Sequence, residues 1–342
     1  MIKARFQKYE LHFKQAAGTS RGVLKTRTVW YLFLEENGVT GLGECAPLPG
    51  LSIETPEQVE VQLDKICADP KLFINNIDLL KDISSLKFAL ESALLDLKNG
   101  GKRDPFPSAF SHGKEGIPIN GLIWMNEIEN MQRQIEEKLA AGFRCIKLKI
   151  GAKDFEQELA LLKAVRERFS SDQIVLRVDA NGAFDKDSAD EKLKRLAELQ
   201  LHSIEQPIPA GLWNEMAELC KTTPLPIALD EELIGINDRR EKIQLLDTIR
   251  PQFLVLKPSL HGGISGCDEW INLANERSIG WWITSYLESN IGLNVIAQWA
   301  FTKNTTMHQG LGTGQLFTNN IESPLEIRGE ELWFNTAKSF EM

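Results

Sequence analysis

The sequence predicts an α/β protein in which a parallel barrel carries a smaller α+β capping domain. From Ile117 onward, short apolar runs alternate with helix-like segments, as expected for successive βαβ units. The residues before this point show strand-like runs first and helix-like runs later, which is typical of an α+β unit. We therefore expect a capping domain over residues 1–115, a barrel over 116–313 and a C-terminal tail over 314–342.

The N-terminal part begins with two strand-like runs, LHFKQ and TVWYLFLEE, separated by the polar loop AAGTSRG. A loop rich in glycine and proline, GLGECAPLPGLS, follows them. Helices are then predicted at Thr55–Ala68 and Leu86–Lys98, where apolar residues recur at helical spacing.

Eight strand-like runs follow from residue 117: PINGLIW, CIKLKIG, IVLRVDAN, HSIEQP, PIALDE, FLVLKPSL, GWWITSYL and TMHQGLG. Helix-like segments such as NEIENMQRQIEEKLAA, DSADEKLKRLAELQ and SGCDEWINLANER separate them. This repetition matches a (β/α)8 barrel. A doubly wound open sheet is the alternative, but the glycine-rich phosphate loop often found in such sheets is absent from the sequence. No helix is evident after the eighth run, so we expect the tail to leave the barrel and pair with the N-terminal domain.

Composition excludes several classes of protein. The net charge of −9 over 342 residues argues against nucleic-acid and anionic-membrane partners, both of which require a basic surface. The N-terminus has no apolar leader segment, and no run is long enough for a membrane helix. The five scattered cysteines lack any C-x-x-C spacing and are predicted to be free thiols in a reducing compartment. We expect a soluble, cytoplasmic protein.

The run RCIKLKIGA places Lys147 and Lys149 on the same face of a strand that otherwise looks buried. Taken alone, alternating lysines are typical of a solvated edge strand. The ends of the next strands change this interpretation, because polar residues stand there in place of apolar ones. These residues are Asp179 in RVDAN, Glu205 in IEQP, Asp230 in ALDE and Lys257 in VLKPS.

Each of these residues also has a simpler explanation as a turn residue, a helix cap or a solvated loop residue. Their common position favours one site, since the carboxyl ends of barrel strands meet at one mouth. Three carboxylates without histidine or cysteine suit Mg²⁺, or Mn²⁺ in its place, rather than Zn²⁺. A lysine beside another lysine and a divalent cation has a lowered pKa and can act as a general base. The metal would stabilise the enolate formed when a carbon acid next to a carboxylate loses its proton. His261, in SLHGG near the end of strand six, is a further candidate for a substrate contact.

Together, K-x-K, D-A-N, E-Q-P, D-E and K-P-S on successive strands resemble the muconate-lactonising subgroup of the enolase superfamily. The resemblance covers nearly the whole chain and implies a (β/α)7β barrel under a cap built from the N-terminal part and the tail. Three further stretches, ECAPLPGLS, ITSYLESNIGL and GLGTGQLF, resemble the o-succinylbenzoate synthase family. Members of that family dehydrate 2-succinyl-6-hydroxy-2,4-cyclohexadiene-1-carboxylate through an enediolate during menaquinone biosynthesis.

The resemblance implies a small-molecule carboxylate substrate and a role for each site residue. Lys149 would be the base, Lys257 a cation over the opposite face of the ring, and Lys147 an electrostatic support. Mg²⁺ would bind Asp179, Glu205 and Asp230. The loops AAGTSRG and APLPGLS would close over the barrel mouth. The candidates for contacting substrate are Asn181, Thr284, Ser285 and Gly312.

The sequence leaves other functions open. Two lysines on opposite faces also suit an N-acylamino acid racemase or a dipeptide epimerase, although the place at the end of strand eight where such an epimerase has an acidic D-x-D pair reads GLGTG. Muconate cycloisomerase is a second alternative, and a non-catalytic barrel that binds a small anion is a third. The oligomeric state is not predicted.

Overall fold

The computed structural model describes residues 1–19 and 22–341, and it describes side chains for these residues except 16–19 and 22. Its N-terminal part is an antiparallel sheet of order β1-β2-β3 with three α-helices packed against it. Their bounds are β1 Lys3–Thr19, β2 Gly22–Glu36, β3 Val39–Cys45, α1 Pro56–Ala68, α2 Pro70–Asn75 and α3 Ser84–Lys98.

The first two strands are longer than predicted. β1 continues to Thr19 and β2 starts at Gly22, so most of the predicted loop AAGTSRG is paired strand, and residues 20 and 21 lie outside the described residues. The pairing shifts register between His12 and Ala17, and this irregularity lets the hairpin continue beyond the apolar part of the strands.

The predicted helices of this part form where the sequence places them. Thr55 caps α1 by accepting a hydrogen bond from Gln58 N, and the Gln58 side chain accepts one in return from Thr55 N. Gly41 and Gly43 of β3 let α3 approach closely, because a Cβ atom on either would overlap the helix backbone.

The second part is a curled parallel sheet whose strands follow one another in order from β5 to β11 within the described residues, each strand being followed by a helix. β4, Ile117–Pro118, precedes this sheet. The pairs are β5 Gly121–Ile123 with α4 Ile128–Ala140, β6 Cys145–Lys149 with α5 Phe155–Arg168, β7 Val175–Asp179 with α6 Lys186–Ala197, β8 Ser203–Glu205 with α7 Trp213–Thr222, β9 Ile227–Leu229 with α8 Arg239–Ile249, β10 Phe253–Leu256 with α9 Gly263–Asn275, and β11 Gly280–Ile283 with α10 Asn290–Phe301.

The barrel closes through two residues rather than a full eighth strand. Gln309 forms a parallel bridge with Ile119, and Gly310 forms one with Thr284, so the predicted run TMHQGLG joins the two edges of the sheet only there. The arrangement confirms the (β/α)7β barrel with an α+β cap.

The tail contacts both parts of the molecule. Leu316 O accepts a hydrogen bond from Lys14 N at 2.8 Å, and Thr318 N donates one to His12 O at 2.8 Å. Further along the tail lie β12, Leu325–Arg328, and β13, Glu331–Phe334, and β13 pairs with both β12 and β4. As expected, the tail pairs with the N-terminal domain, at an antiparallel bridge between Phe317 and Phe13, whereas β12 and β13 do not pair there. The domain limits at 115 and 313 stay a prediction. Among the described residues, no helix is both long and apolar enough to cross a bilayer.

Two glutamates of the cap hold the first turns of barrel helices. Glu44 accepts hydrogen bonds from Ser289 N and Gly292 N, each at 2.7 Å, at the start of α10. Glu91 accepts one from Ile264 N at 2.6 Å at the start of α9. Because helix N-termini leave N–H groups without partners, these carboxylates satisfy donors that the barrel itself leaves open.

Candidate active site

The register of the barrel strands aligns the predicted residues at one level. Lys149 of β6 lies opposite Asp179 of β7, and Asp179 lies opposite Glu205 of β8. Glu205 lies opposite Ala228 of β9, two residues before Asp230 and therefore on the same face of its strand. The sequence pattern thus brings these side chains together at the carboxyl end of the barrel.

Asp179, Glu205 and Asp230 form a buried carboxylate cluster. Each is fully buried, and one ligand oxygen from each lies within 4.8 Å of the others. Oε1 of Glu205 is buried and has no hydrogen-bond partner among the described residues. A buried carboxylate oxygen without a donor is costly, and a cation is the partner that would satisfy it. The three carboxylates therefore fit a divalent metal, and their all-oxygen set suits a hard cation.

Three lysines neutralise these carboxylates. Nζ of Lys147 lies 3.0 Å from Oδ2 of Asp179 and also bonds to Glu205. Nζ of Lys149 donates to Oδ2 of Asp179 at 2.6 Å. On the other side of the cluster, Lys257 donates to both carboxylate oxygens of Asp230. Lys147 is buried and pairs with two of the carboxylates, so it stabilises the cluster as well as lining the cavity described below.

Burial and charge shift the ionisation of this cluster in opposite directions. Burial and the neighbouring charge of Asp179 raise the pKa of Glu205 to about 8, against the opposing effect of Lys147. Although burial opposes it, the ammonium groups of Lys147 and Lys149 hold the pKa of Asp179 well below its usual range. Burial favours neutral lysine, but the surrounding carboxylates outweigh it and raise the pKa of Lys147, and Asp230 does the same for Lys257. The lowering of a lysine pKa by a bound cation stays a prediction.

Asn181 and Glu231 orient Lys149. Asn181 has a positive φ of 46°, which turns its side chain back so that Oδ1 accepts a hydrogen bond from Lys149 Nζ at 2.9 Å. Its Nδ2 donates to Oε1 of Glu231 at 2.9 Å. Glu231 was not among the predicted site residues, although it directly follows Asp230 in the D-E motif. The signal that could have identified it was the run of three acidic residues, Asp230 to Glu232, between the apolar segments PIAL and LIG.

A cavity of about 210 Å³ lies over this cluster. It is lined by all three lysines and by the predicted substrate contacts other than His261, and leucines and a proline of the cap line its upper side. The lining residues are Val23, Leu24, Leu48, Pro49, Leu51, Asn120, Leu122, Trp124, Lys147, Lys149, Asn181, Glu231, Lys257, Trp282, Thr284, Ser285, Tyr286, Leu287, Gly310, Gly312 and Thr313.

The predicted substrate contacts after β11 and in the closing segment differ in whether their side chains already have hydrogen-bond partners. Thr284 Oγ1 donates to Gly310 O at 2.9 Å, and Ser285 Oγ lies 2.6 Å from Thr313 Oγ1. These hydroxyls therefore help to hold the short closing strand. At Gly312 an added Cβ would lie 3.7 Å from Ile119 Cδ1, which is ordinary contact, so packing alone does not require glycine there.

Three further residues of the site region were missed by sequence reasoning. Asn120 and Tyr286 line the cavity, and the guanidinium of Arg27 stacks 4.7 Å from the centre of the Tyr286 ring. Asn120 precedes a glycine and looks like a turn residue, whereas the other two look like ordinary strand residues. His261, in contrast, does not line the cavity; its Nδ1 accepts a hydrogen bond from Lys257 N at 3.0 Å.

Comparisons with known proteins agree with this geometry. The family model described as enolase C-terminal domain-like matches residues 130–337, and the model of the MenC N-terminal domain matches residues 1–97. The chain is 48% identical to an o-succinylbenzoate synthase of Desulfotalea psychrophila over 95% of this chain and 96% of that protein. It is 30% identical to an N-succinylamino acid racemase of Thermus thermophilus over 83% of this chain and 78% of the racemase.

A solved structure extends the similarity to three dimensions. The crystal structure of MenC from Desulfotalea psychrophila matches with a TM-score of 0.86 and 44% identity, covering 97% of this chain and 99% of that one. The fold, the cap and the barrel sequence therefore agree on one family. The chain belongs to the enolase superfamily and, within it, to the o-succinylbenzoate synthase (MenC) family.

Proposed function

We propose that this protein dehydrates 2-succinyl-6-hydroxy-2,4-cyclohexadiene-1-carboxylate to o-succinylbenzoate, a step of menaquinone biosynthesis. The observation that carries the proposal is the cluster of three carboxylates and three lysines in one cavity of a chain that is 48% identical to an o-succinylbenzoate synthase. A small carboxylate substrate suits the three ammonium groups in the cavity wall.

Mg²⁺, or Mn²⁺ in its place, is the metal we propose for Asp179, Glu205 and Asp230. When bound there, the ion would supply positive charge to the substrate carboxylate as negative charge develops on it. It would also neutralise the carboxylates that now pair with the lysines, so that Lys149 could lose its proton at neutral pH.

Lys149 performs the proton transfers in this proposal. Its neutral amine removes the proton on the carbon next to the ring carboxylate, and the resulting ammonium gives a proton to the departing hydroxyl, which leaves as water. Asn181, through its hydrogen bond of 2.9 Å to Nζ, keeps the amine directed into the cavity. Lys257 contributes positive charge from the other side of the cluster. Leucines of the cap exclude water from the reacting carbons.

Racemisation of N-acylamino acids is the second candidate. A racemase needs one proton carrier on each face of the reacting carbon. Lys149 at the end of β6 and Lys257 just after β10 line one cavity and could fill these two roles. The racemase relative at 30% identity adds support. A dipeptide epimerase is disfavoured, because no acid stands in the segment GLGTG to hold a free amino group.

The experiment that separates these functions uses Lys149→Ala and Lys257→Arg. Lys149→Ala should abolish either reaction. Arginine keeps the charge of Lys257 but does not release a proton at workable pH, so Lys257→Arg should retain partial dehydration activity if the protein is a synthase. A racemase with this change should lose racemisation and still exchange the α-proton of one enantiomer of an N-succinylamino acid into deuterated water. Absence of dehydration by the wild type would contradict the proposal.

We also propose that the protein works in the cytoplasm. The described cysteines are all free, and four of them are buried, which suits a reducing compartment. The net charge of −9 supports a small-molecule substrate rather than a nucleic acid.

A further inference from the structure

Beside the catalytic cavity, the closing segment and the edge of the barrel sheet are joined over only two residues of the described chain. Asn120 N donates a hydrogen bond to Gln309 O at 2.9 Å, next to the bridge between Ile119 and Gln309. After Gly310, the closing segment forms no further bridge to the barrel sheet among the described residues and continues into the tail. A second space of about 420 Å³, which we call the side chamber, lies in the gap. It is lined among others by Asn120, Trp124, Lys138, Phe143, Gly312 and Leu316. Asn120, Trp124 and Gly312 also line the catalytic cavity, so the two spaces share a wall.

Asn120 stands at this junction with an unsatisfied amide. Its side chain is 4% exposed, and its Oδ1 is buried without a hydrogen-bond partner among the described residues. Leaving a buried polar group unpaired costs about 1–3 kcal/mol. Oδ1 can only accept, so it does not pair with a carbonyl or carboxylate of a ligand. The donor of the same amide, Nδ2, makes no hydrogen bond to another described residue and is the group that can bind a ligand acceptor.

The size of the spaces points the same way. The catalytic cavity of about 210 Å³ is smaller than the range of roughly 300–1,000 Å³ that is usual for small-molecule sites. Together with the side chamber of about 420 Å³ it falls within that range. A substrate with a reacting ring and a long arm would use both spaces, with the ring over the lysines and the arm past Asn120.

The charge of the side chamber suits an anionic arm. Lys138 and Lys14 line it together with one glutamate, Glu137, which is exposed to solvent. Lys138 is half-buried, and its ammonium lies 5.0 Å from the centre of the Phe143 ring rather than against a carboxylate of a described residue. Burial lowers the pKa of Lys138, as expected for an ammonium that lacks a close counter-ion.

We propose that Asn120 is a specificity-determining residue whose Nδ2 donates a hydrogen bond to the terminal carboxylate of the substrate's acyl arm, and that the side chamber, with Lys138, receives this carboxylate. This inference rests on the proposed function, because it takes the substrate to be a ring carboxylate with a succinyl arm. It assigns discrimination between arms to the residue that precedes β5 and to helix α4, away from the residues that move protons.

The test measures binding rather than turnover, so that it does not depend on the reaction. Calorimetry in the presence of Mg²⁺ would give the affinities of o-succinylbenzoate and of 2-butyrylbenzoate, whose arm has the same length but no terminal carboxylate. We expect the wild type to prefer o-succinylbenzoate. In Asn120→Leu and in Lys138→Met, roughly tenfold of that preference should disappear, as for loss of a hydrogen bond to a charged group. Exposed Lys163 on α5 provides the control, and Lys163→Met should keep the wild-type preference.

Each outcome has a defined meaning. A preference that stays at the wild-type value in folded Asn120→Leu overturns the proposal, and Asn120→Ser takes its place under the same criterion if the leucine variant does not fold. Restored preference in Lys138→Arg would support a charge role over a packing role. If the wild type binds o-succinylbenzoate with this preference but dehydrates nothing, the proposed function fails while the assignment of the arm site stands.

Discussion

Lys257 donates hydrogen bonds to both carboxylate oxygens of Asp230, at 2.7 and 2.5 Å. Both side chains are buried, and Asp230 belongs to the carboxylate cluster that fits a metal. The lysine therefore occupies the two oxygens that a cation would use. Lys257 and a bound cation therefore compete to neutralise the carboxylate of Asp230. The first two predictions follow from this competition.

Removing one carboxylate of the cluster should weaken metal binding. We expect Asp179→Asn, Glu205→Gln and Asp230→Asn each to lower the affinity for Mg²⁺ at least about tenfold, because each removes one negatively charged ligand of a divalent cation. Ligand binding to the folded state raises the melting temperature, so a titration of melting temperature against Mg²⁺ measures the effect. Asp172→Asn, at an exposed loop residue, is the control. A titration curve identical to the wild type in all three variants would rule out this site.

Replacing Lys257 by methionine should destabilise the metal-free protein far more than the metal-bound one. Without its partner, the buried carboxylate of Asp230 is uncompensated, which costs about 3–5 kcal/mol of unfolding free energy. Saturating Mg²⁺ should recover much of that loss, since the ion then neutralises Asp230. Urea unfolding with and without Mg²⁺ gives both values, and Lys163→Met serves as the control. An equal loss under both conditions would show that Lys257 acts by packing alone.

Acid should destabilise the protein through His261. Its buried imidazole accepts a hydrogen bond from Lys257 N, so the ring must be neutral, and burial lowers its pKa to about 3. The unfolded chain takes up this proton near pH 6.5. The stability contributed by neutral His261 is therefore complete above pH 6.5 and declines as the pH falls toward 3, by up to about 1.4 kcal/mol per pH unit.

The matching variant is His261→Asn, which keeps an acceptor for Lys257 N but does not titrate. The pH dependence of its unfolding free energy should be shallower than that of the wild type between pH 6.5 and 4. The exposed His112 supplies the control, and His112→Asn should leave the slope as it is. Parallel slopes for the wild type and His261→Asn would contradict the prediction.

Glu44→Ala should loosen the loop that carries Thr284 to Leu287. The buried carboxylate accepts hydrogen bonds from Ser289 N, Ser289 Oγ and Gly292 N, and its removal leaves these donors buried without an acceptor. We expect a loss of at least about 2 kcal/mol of unfolding free energy and a higher KM. Urea unfolding and steady-state kinetics measure these effects, with Glu198→Ala at an exposed residue as the control. A stable variant with unchanged KM would show that the loop is held by other contacts.

The fold was largely predictable because the alternation of strands and helices is a local pattern. The run CIKLKIG forms β6, Cys145–Lys149, as its apolar alternation indicates. Two features depend on pairing between distant residues and could not be read locally. The closing segment makes single bridges at Gln309 and Gly310, and the N-terminal hairpin continues through the small residues Ala17 to Thr19 because the opposite strand pairs with them.

The centre of the site was predictable for a different reason. Asp179, Glu205 and Asp230 stand where strands should end in apolar residues, and a parallel barrel brings strand ends together. Asn120 gave no such signal, since an Asn-Gly pair is typical of turns and only the tertiary structure shows that its amide is buried. Arg27 reaches the site region from the cap, a contact that no spacing along the chain indicates.

The glutamates at 44 and 91 also limit how relatives of this enzyme can be recombined. Each belongs to the cap, yet the N–H groups that it satisfies belong to helices of the barrel. If a barrel is joined to a foreign cap that lacks acceptors at these two places, N–H groups at the starts of α9 and α10 are buried without hydrogen-bond partners. These helix starts lie next to the loops that lead from Lys257 and Thr284. Chimaeras in this family should therefore exchange cap and barrel as a matched pair, or carry both glutamates across with the barrel.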